Sequence, residues 1–162
     1  MSWTRVWVHM VFATKYRHPF LNDSIRWKVF EHIYENARDK GIFLDSVNGW
    51  TDHAHCLVAL EREQTISKVA QLIKGESSFW INKNKLTTRK FTWQDDYWAV
   101  SVSERHVEIV RNYIRKQESH HRTKTFKQEN DRFMKKYGWE PTNPKSPQSP
   151  KKSPQSPKKS PH

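Results

Sequence analysis

Only one cysteine, Cys56, occurs among the 162 residues, which excludes an intramolecular disulfide and suits a reducing compartment. Long apolar runs are also missing. The opening segment "MSWTRVWVHMVF" has neither the apolar stretch of a secretory leader nor the length of a membrane span, so a cytoplasmic protein with no membrane partner is expected. Acids and apolar side chains are absent from Pro141 onward. A segment with nothing to bury cannot offset the entropy of ordering. The expectation is therefore one folded domain over residues 1–140 and a disordered tail over 141–162.

What is present is positive charge. Before Pro141, 24 Lys and Arg stand against 17 acids, a net +7, and the five tail lysines bring the chain to +12. Such a surplus favours a polyanionic partner, because each phosphate neutralised releases a condensed counterion. Nucleic acid is the first expectation and an anionic membrane surface the second. Eight tryptophans predict a well-filled core, with some available to stack on unpaired bases. The tail repeats "SPQSPKK" twice from Ser146; it is either a solvated appendage or a basic arm that follows DNA phosphates.

Periodicity places the elements. Val6, Val8, Met10 and Phe12 alternate with a mixed face of Arg5, Trp7, His9 and Val11, which reads as a strand. Asp23 or Ser24 can cap a helix with the stripe Ile25, Val29, Phe30, Ile33 and Ala37, closed by Gly41. "IFLDSVNGW" reads as a strand turning at Asn48-Gly49 into a second strand, "HAHCLVAL". Thr65 opens a helix on Ile66, Val69 and Ile73, in which Gly75 predicts a break or a close backbone approach. A strand over 97–103 and a helix capped by Ser103, with Val107, Val110 and Ile114 as its stripe, follow, and a short polar helix is expected over 126–137. The order β-α-β-β-α-β predicts an α+β fold, a ferredoxin-like split βαβ antiparallel sheet with helices on one face, plus C-terminal helices and the basic tail. Such a sheet leaves its other face available.

Two groups of residues carry chemistry. His53 and His55 share one strand face, where they can present two nitrogens to one metal ion or be an accident of a chain with nine histidines. On the third helix, Tyr113 and Gln117 are four apart and so neighbours. They can simply cover the sheet edge. Alternatively, a phenol can attack a DNA phosphate and hold the cut end as an ester, provided that a divalent ion reduces the phosphate charge; two imidazoles and an amide oxygen are suitable ligands for that ion.

The H-x-H pair, "YIRKQ", "QLIKGESSFWIN", "WQDDYWAVSVS" and "ESHHRTKTFKQENDRFMKKYG" together resemble the single-tyrosine HUH transposases of the insertion sequence 200/605 family, over residues 3 to about 140. The resemblance implies a homodimeric enzyme on single-stranded DNA with hairpins, with active sites shared between subunits. It implies Tyr113 as nucleophile, His53, His55 and Gln117 as ligands of Mg²⁺ or Mn²⁺, and a 5′-phosphotyrosine product beside a free 3′-hydroxyl. Lys15, Arg17, Lys74, Arg111, Arg115 and Lys116 are candidates for holding phosphates, although each is also an ordinary solvated charge. His120 and His121 are candidate supports for the metal ligands.

Three departures from the family pattern stand out. Ala54 replaces a bulky residue between the histidines, Asp96 and Trp98 replace glycines of a W-Q-x-G-Y-G turn, and the tail is extra. The alternative to a transposase is a non-catalytic or domesticated hairpin DNA-binding protein of the same fold. A replication or mobilisation nickase ranks lower. A 2H-type phosphodiesterase needs two H-x-[ST] motifs, and only His121-Arg122-Thr123 offers one.

Overall fold

The computed structural model describes residues 1–117 and Gln128; the rest of the helix expected over 126–137, His120, His121 and the tail lie outside the described residues. The elements are β1 (Val6–Ala13), α1 (Arg26–Asp39), β2 (Phe43–Trp50), β3 (His53–Leu60), α2 (Ile66–Lys83), β4 (Trp98–Val102) and α3 (Val107–Arg115). The strands form one antiparallel sheet in the order β2-β3-β1-β4. This is the expected split βαβ topology.

Alternation along the two central strands builds the core. Val8, Met10 and Phe12 of β1 and Ala54, Cys56 and Val58 of β3 pack with Val29, Phe30, Ile33 and Ala37 of α1 and Val69, Ala70, Ile73 and Ile81 of α2. Each Val, Ile, Met or Phe among these contributes about 1.5–3 kcal/mol when fully buried, and burial pushes the Cys56 thiol far up, so it stays protonated and inert. Ala54 is explained by its row in the sheet. It lies between Gly49 and Phe12, and the Phe12 ring, edge-on to Trp93 at 4.8 Å, supplies bulk beside it.

The opposite sheet face does not stay available. Trp7, His9, Val11, His53, His55 and Leu57 are all buried, and α3 crosses this face over β2 and β3. The short α3 buries Val107, Val110 and Ile114, as its spacing requires. Two polar ties fix it: Arg111 donates both Nε and Nη2 to Asp45 of β2 at 2.8 Å, and Asn48 Nδ2 donates to the Arg115 carbonyl at 3.3 Å.

Several local expectations are corrected. Before α1 it is Asn22, not Asp23 or Ser24, that organises the turn: its side chain accepts from Ser24 N at 3.0 Å and its carbonyl from Arg26 N at 2.9 Å. Asp23 instead pairs with the buried Arg26. The end of α1 is as expected, with Gly41 at φ +71° and Ile42 N donating to Ala37 O at 2.8 Å, the reverse turn that glycine permits. Thr65 caps α2 by accepting from Lys68 N at 3.1 Å.

The hairpin turns at Thr51-Asp52, because Asn48 and Gly49 remain in the ladder opposite His55 and Ala54. Gly49 is there for space: a Cβ on it would strike the His53 carbonyl oxygen. Gly75 neither breaks α2 nor meets a neighbour. Ser103 bonds His106 Nδ1 at 2.7 Å and opens a 3-10 turn at Glu104–His106, so α3 starts later than its spacing suggested. Of the described tryptophans only Trp7 and Trp93 are buried; Trp3 and Trp27 are exposed, so the core relies less on indole than expected.

The two glycines predict opposite signs. Gly75→Ala relieves helix-interior glycine with no clash and is expected to raise unfolding free energy by about 1 kcal/mol. Gly49→Ala forces backbone apart beside His53 and is expected to cost about 2 kcal/mol or more; thermal or urea unfolding of both variants checks the pair.

Candidate active site

Period-two alternation on β3 sends His53 and His55 away from the core and toward α3. Both are fully enclosed, and so is Gln117. His53 Nε2 and Gln117 Oε1 lie 3.4 Å apart, and the two histidine rings are 5.1 Å apart between centroids. The Tyr113 ring stands edge-on to His55 at 5.6 Å and to His9 at 6.3 Å. The four residues expected to act together therefore meet in one chain: β3 supplies the two histidines, α3 supplies Tyr113, and Gln117 comes just past the end of α3, after the Lys116 turn.

Each imidazole has its other nitrogen engaged. Asp52 Oδ1 lies 2.7 Å from His53 Nδ1, and Arg17 Nε donates to Asp52 Oδ2 at 3.1 Å. Burial works to raise the Asp52 carboxyl, but the hydrogen bond and charge of His53 and the charge of Arg17 outweigh it and hold it below the usual range. His55 Nδ1 lies 2.9 Å from His9 Nε2, with the rings stacked at 5.2 Å. Trp98 closes edge-on against His9 at 5.3 Å. Sequence reading placed His9 on the right face of β1 but gave it no role. The missing information was the register, which pairs Val11 with His55 and His9 with Leu57 and so puts His9 beside His55.

Among the described residues no group of three His, Cys, Asp or Glu converges on a metal position; the donors that do converge are two imidazoles and an amide oxygen. Two adjacent ligands of one Mg²⁺ lie about 3 Å apart when each bond is about 2.1 Å. The 3.4 Å between His53 Nε2 and Gln117 Oε1 fits such a pair, and this donor set leaves positions for substrate oxygens.

The six basic candidates divide. Lys15, Arg115 and Lys116 are exposed, the last two flanking the tyrosine helix end. Arg17 reaches His53 through Asp52, as above. The Arg111 guanidinium is held by Asp45, an anion, so its first role is to dock α3. Lys74 lies on α2, in the layer across the sheet, where it donates to the Asp95 carbonyl at 2.7 Å and burial draws its ammonium below the ordinary range; it is not brought to the histidines.

A family model described as "Transposase IS200 like" matches residues 2–117. The chain belongs to the IS200-like transposase family. The ISDra2 transposase TnpA of Deinococcus radiodurans is 23% identical over 114 residues, which are 67% of this chain and 81% of that protein. A crystallised protein from Deinococcus radiodurans assigned as a transposase superposes with a TM-score of 0.57 at 22% identity, over 72% of this chain and 93% of that one. A REP-associated tyrosine transposase bound to a REP hairpin superposes with a TM-score of 0.55 at 17% identity, over 75% and 74%. These superpositions establish the fold that this IS200-like transposase shares with them. No helix among the described residues is long and apolar enough to cross a membrane.

The Asp45–Arg111 tie gives a pH prediction. Burial raises the Asp45 carboxyl, but hydrogen bonds from Arg111 and Ser46 and the Arg111 charge bring it below 3.8. A carboxyl depressed on folding contributes stability that is complete above its unfolded value and lost as pH falls through the folded value. Asp45→Asn is therefore expected to cost about 1 kcal/mol at pH 7, and the gap to the wild type should close below pH 3.8 in urea unfolding at stepped pH.

Proposed function

We propose that this chain is a transposase that binds hairpin-forming single-stranded DNA and cuts and rejoins it by transesterification through Tyr113. The observation that supports this is the meeting of Tyr113, His53, His55 and Gln117 in one place, in a chain of a transposase family. The hairpin held by the REP-associated relative and the net charge of +12 support hairpin DNA as the partner.

In the forward step the Tyr113 phenolic oxygen, having lost its proton, attacks the scissile phosphorus. The P–OTyr bond forms as the P–O3′ bond breaks, leaving a 5′-phosphotyrosine and a 3′-hydroxyl that takes up a proton. The ester keeps the energy of the broken bond, so attack by another strand's 3′-hydroxyl rejoins DNA and restores the phenol. Mg²⁺ or Mn²⁺ bound by His53, His55 and Gln117 would neutralise phosphate charge and stabilise the leaving oxygen.

The chain's own residues prepare that site. Asp52 accepts the Nδ1 hydrogen of His53, which selects the tautomer with Nε2 as the ligand atom. His9 does the same for His55 when its Nε2 accepts. Lys15, Arg115 and Lys116 would hold flanking phosphates. Two copies forming a homodimer is part of this proposal. Exchanging tyrosine helices between copies would require the Asp45–Arg111 and Asn48–Arg115 ties to break in one chain and re-form with its neighbour.

Tyr113→Phe is expected to abolish the covalent protein–DNA adduct on a hairpin oligonucleotide with Mn²⁺ while hairpin binding persists. An adduct of undiminished yield would remove Tyr113 from the role, and a wild type that binds hairpins without ever cutting them would leave the non-catalytic reading. In calorimetric Mn²⁺ titrations, His53→Ala and His55→Ala should eliminate binding. His9→Phe should weaken it roughly 10- to 100-fold.

A further inference from the structure

Immediately after β1 the chain makes a turn that is costly for its sequence. Tyr16 and Arg17 are both at φ +57°, Tyr16 with ψ +18°, in the left-handed region that side chains with a Cβ seldom enter. Two such residues in succession are strained and persist only where surrounding bonds over-determine them. Those bonds are present. Thr14 N donates to Asp52 O at 2.8 Å, Lys15 N to Thr92 O at 2.9 Å, Arg17 N to Thr14 O at 3.0 Å, and Thr14 Oγ1 to His18 O at 2.7 Å.

What this turn displays is an aromatic ring in water. Tyr16 is 89% exposed, and the Lys15 ammonium sits 5.6 Å from its centroid. Glycine or asparagine would fit the backbone at lower cost, and nothing among the described residues uses the ring for packing. The turn is also tied to the active site: Arg17 binds Asp52, and Asp52 binds His53. A flat ring beside a cation, held rigidly a few residues from a phosphate-cutting centre, has the properties of a base-stacking platform.

We propose that Tyr16 stacks on an unpaired base of the single strand that leads to the scissile phosphate, with Lys15 contacting the phosphate next to that base. This rests on the reading of the chain as a single-strand DNA enzyme and extends it to how the strand is held. Because a stacking face accepts any base, Tyr16 should add affinity and position with little sequence preference.

The test uses the full chain, a single-stranded oligonucleotide carrying 2-aminopurine at successive positions, and buffer with chelator so that no cutting occurs. Wild type is expected to quench the fluorescence at one position. Tyr16→Asn should lose that quench and bind roughly tenfold more weakly, while its thermal midpoint stays level or rises because asparagine tolerates the left-handed backbone. Tyr16→Trp should keep the quench. Loss of affinity together with a lowered midpoint in Tyr16→Asn, or quenching by that variant equal to wild type, would overturn the platform. Because chelator removes cleavage from the readout, a wild type that never forms an adduct would sink the catalytic reading and leave this result standing.

Discussion

The structure depends on the strict alternation of β3. As a central strand it is covered on both faces, so each residue must satisfy one of two environments. Ala54, Cys56 and Val58 enter the apolar core against α1 and α2, whereas His53, His55 and Leu57 enter the layer beneath α3. A slip of one residue would bury two imidazoles in hydrocarbon and turn alanine and cysteine toward α3. Gly49 enforces the register from the neighbouring strand, because only a residue without Cβ fits against the His53 backbone. The same contact that fixes the hairpin thus fixes the first histidine.

Once β3 is in place, the position of α3 decides whether the second half of the site exists. Its buried stripe of Val107, Val110 and Ile114 supplies adhesion without specifying an azimuth. Asp45 and Asn48, both on β2, supply the azimuth through Arg111 and the Arg115 carbonyl. Tyr113 near the end of α3 and Gln117 just past its Lys116 cap are then both brought to the histidines. Arg111 thus shows why charge near a candidate nucleophile is a poor guide to substrate contact: its partner is a carboxylate of the fold.

Imidazoles enclosed in protein need orientation as well as placement, and the two here obtain it from different neighbours. His53 has an acid, itself held by Arg17; His55 has a third histidine, backed by Trp98. The strained turn carrying Tyr16 is attached to the first of these chains through Arg17. One short segment after β1 therefore supports His53 through Asp52 on one side and faces solvent on the other.

The sequence was a good guide where a local rule had one solution. The order of elements, the stripe of α1, Val69 and Ile73 in the stripe of α2 (Ile66 is exposed), the Gly41 stop, the Thr65 cap and the shared face of His53 and His55 all follow from periodicity and capping chemistry. Tyr113 and Gln117 do meet at the histidines, but not by helical spacing, because α3 ends at Arg115 and Gln117 follows its cap. Local rules failed where two applied at once: Asn48-Gly49 has the composition of a turn, yet the ladder claims both residues and moves the turn to Thr51-Asp52. The tertiary structure alone decided that α3 covers the histidine face, that Arg111 is held by Asp45, and that His9 stands beside His55. Those facts depend on strand register and on which sheet face a helix selects, and both are settled by contacts between residues far apart in the chain, which spacing along a single segment does not encode.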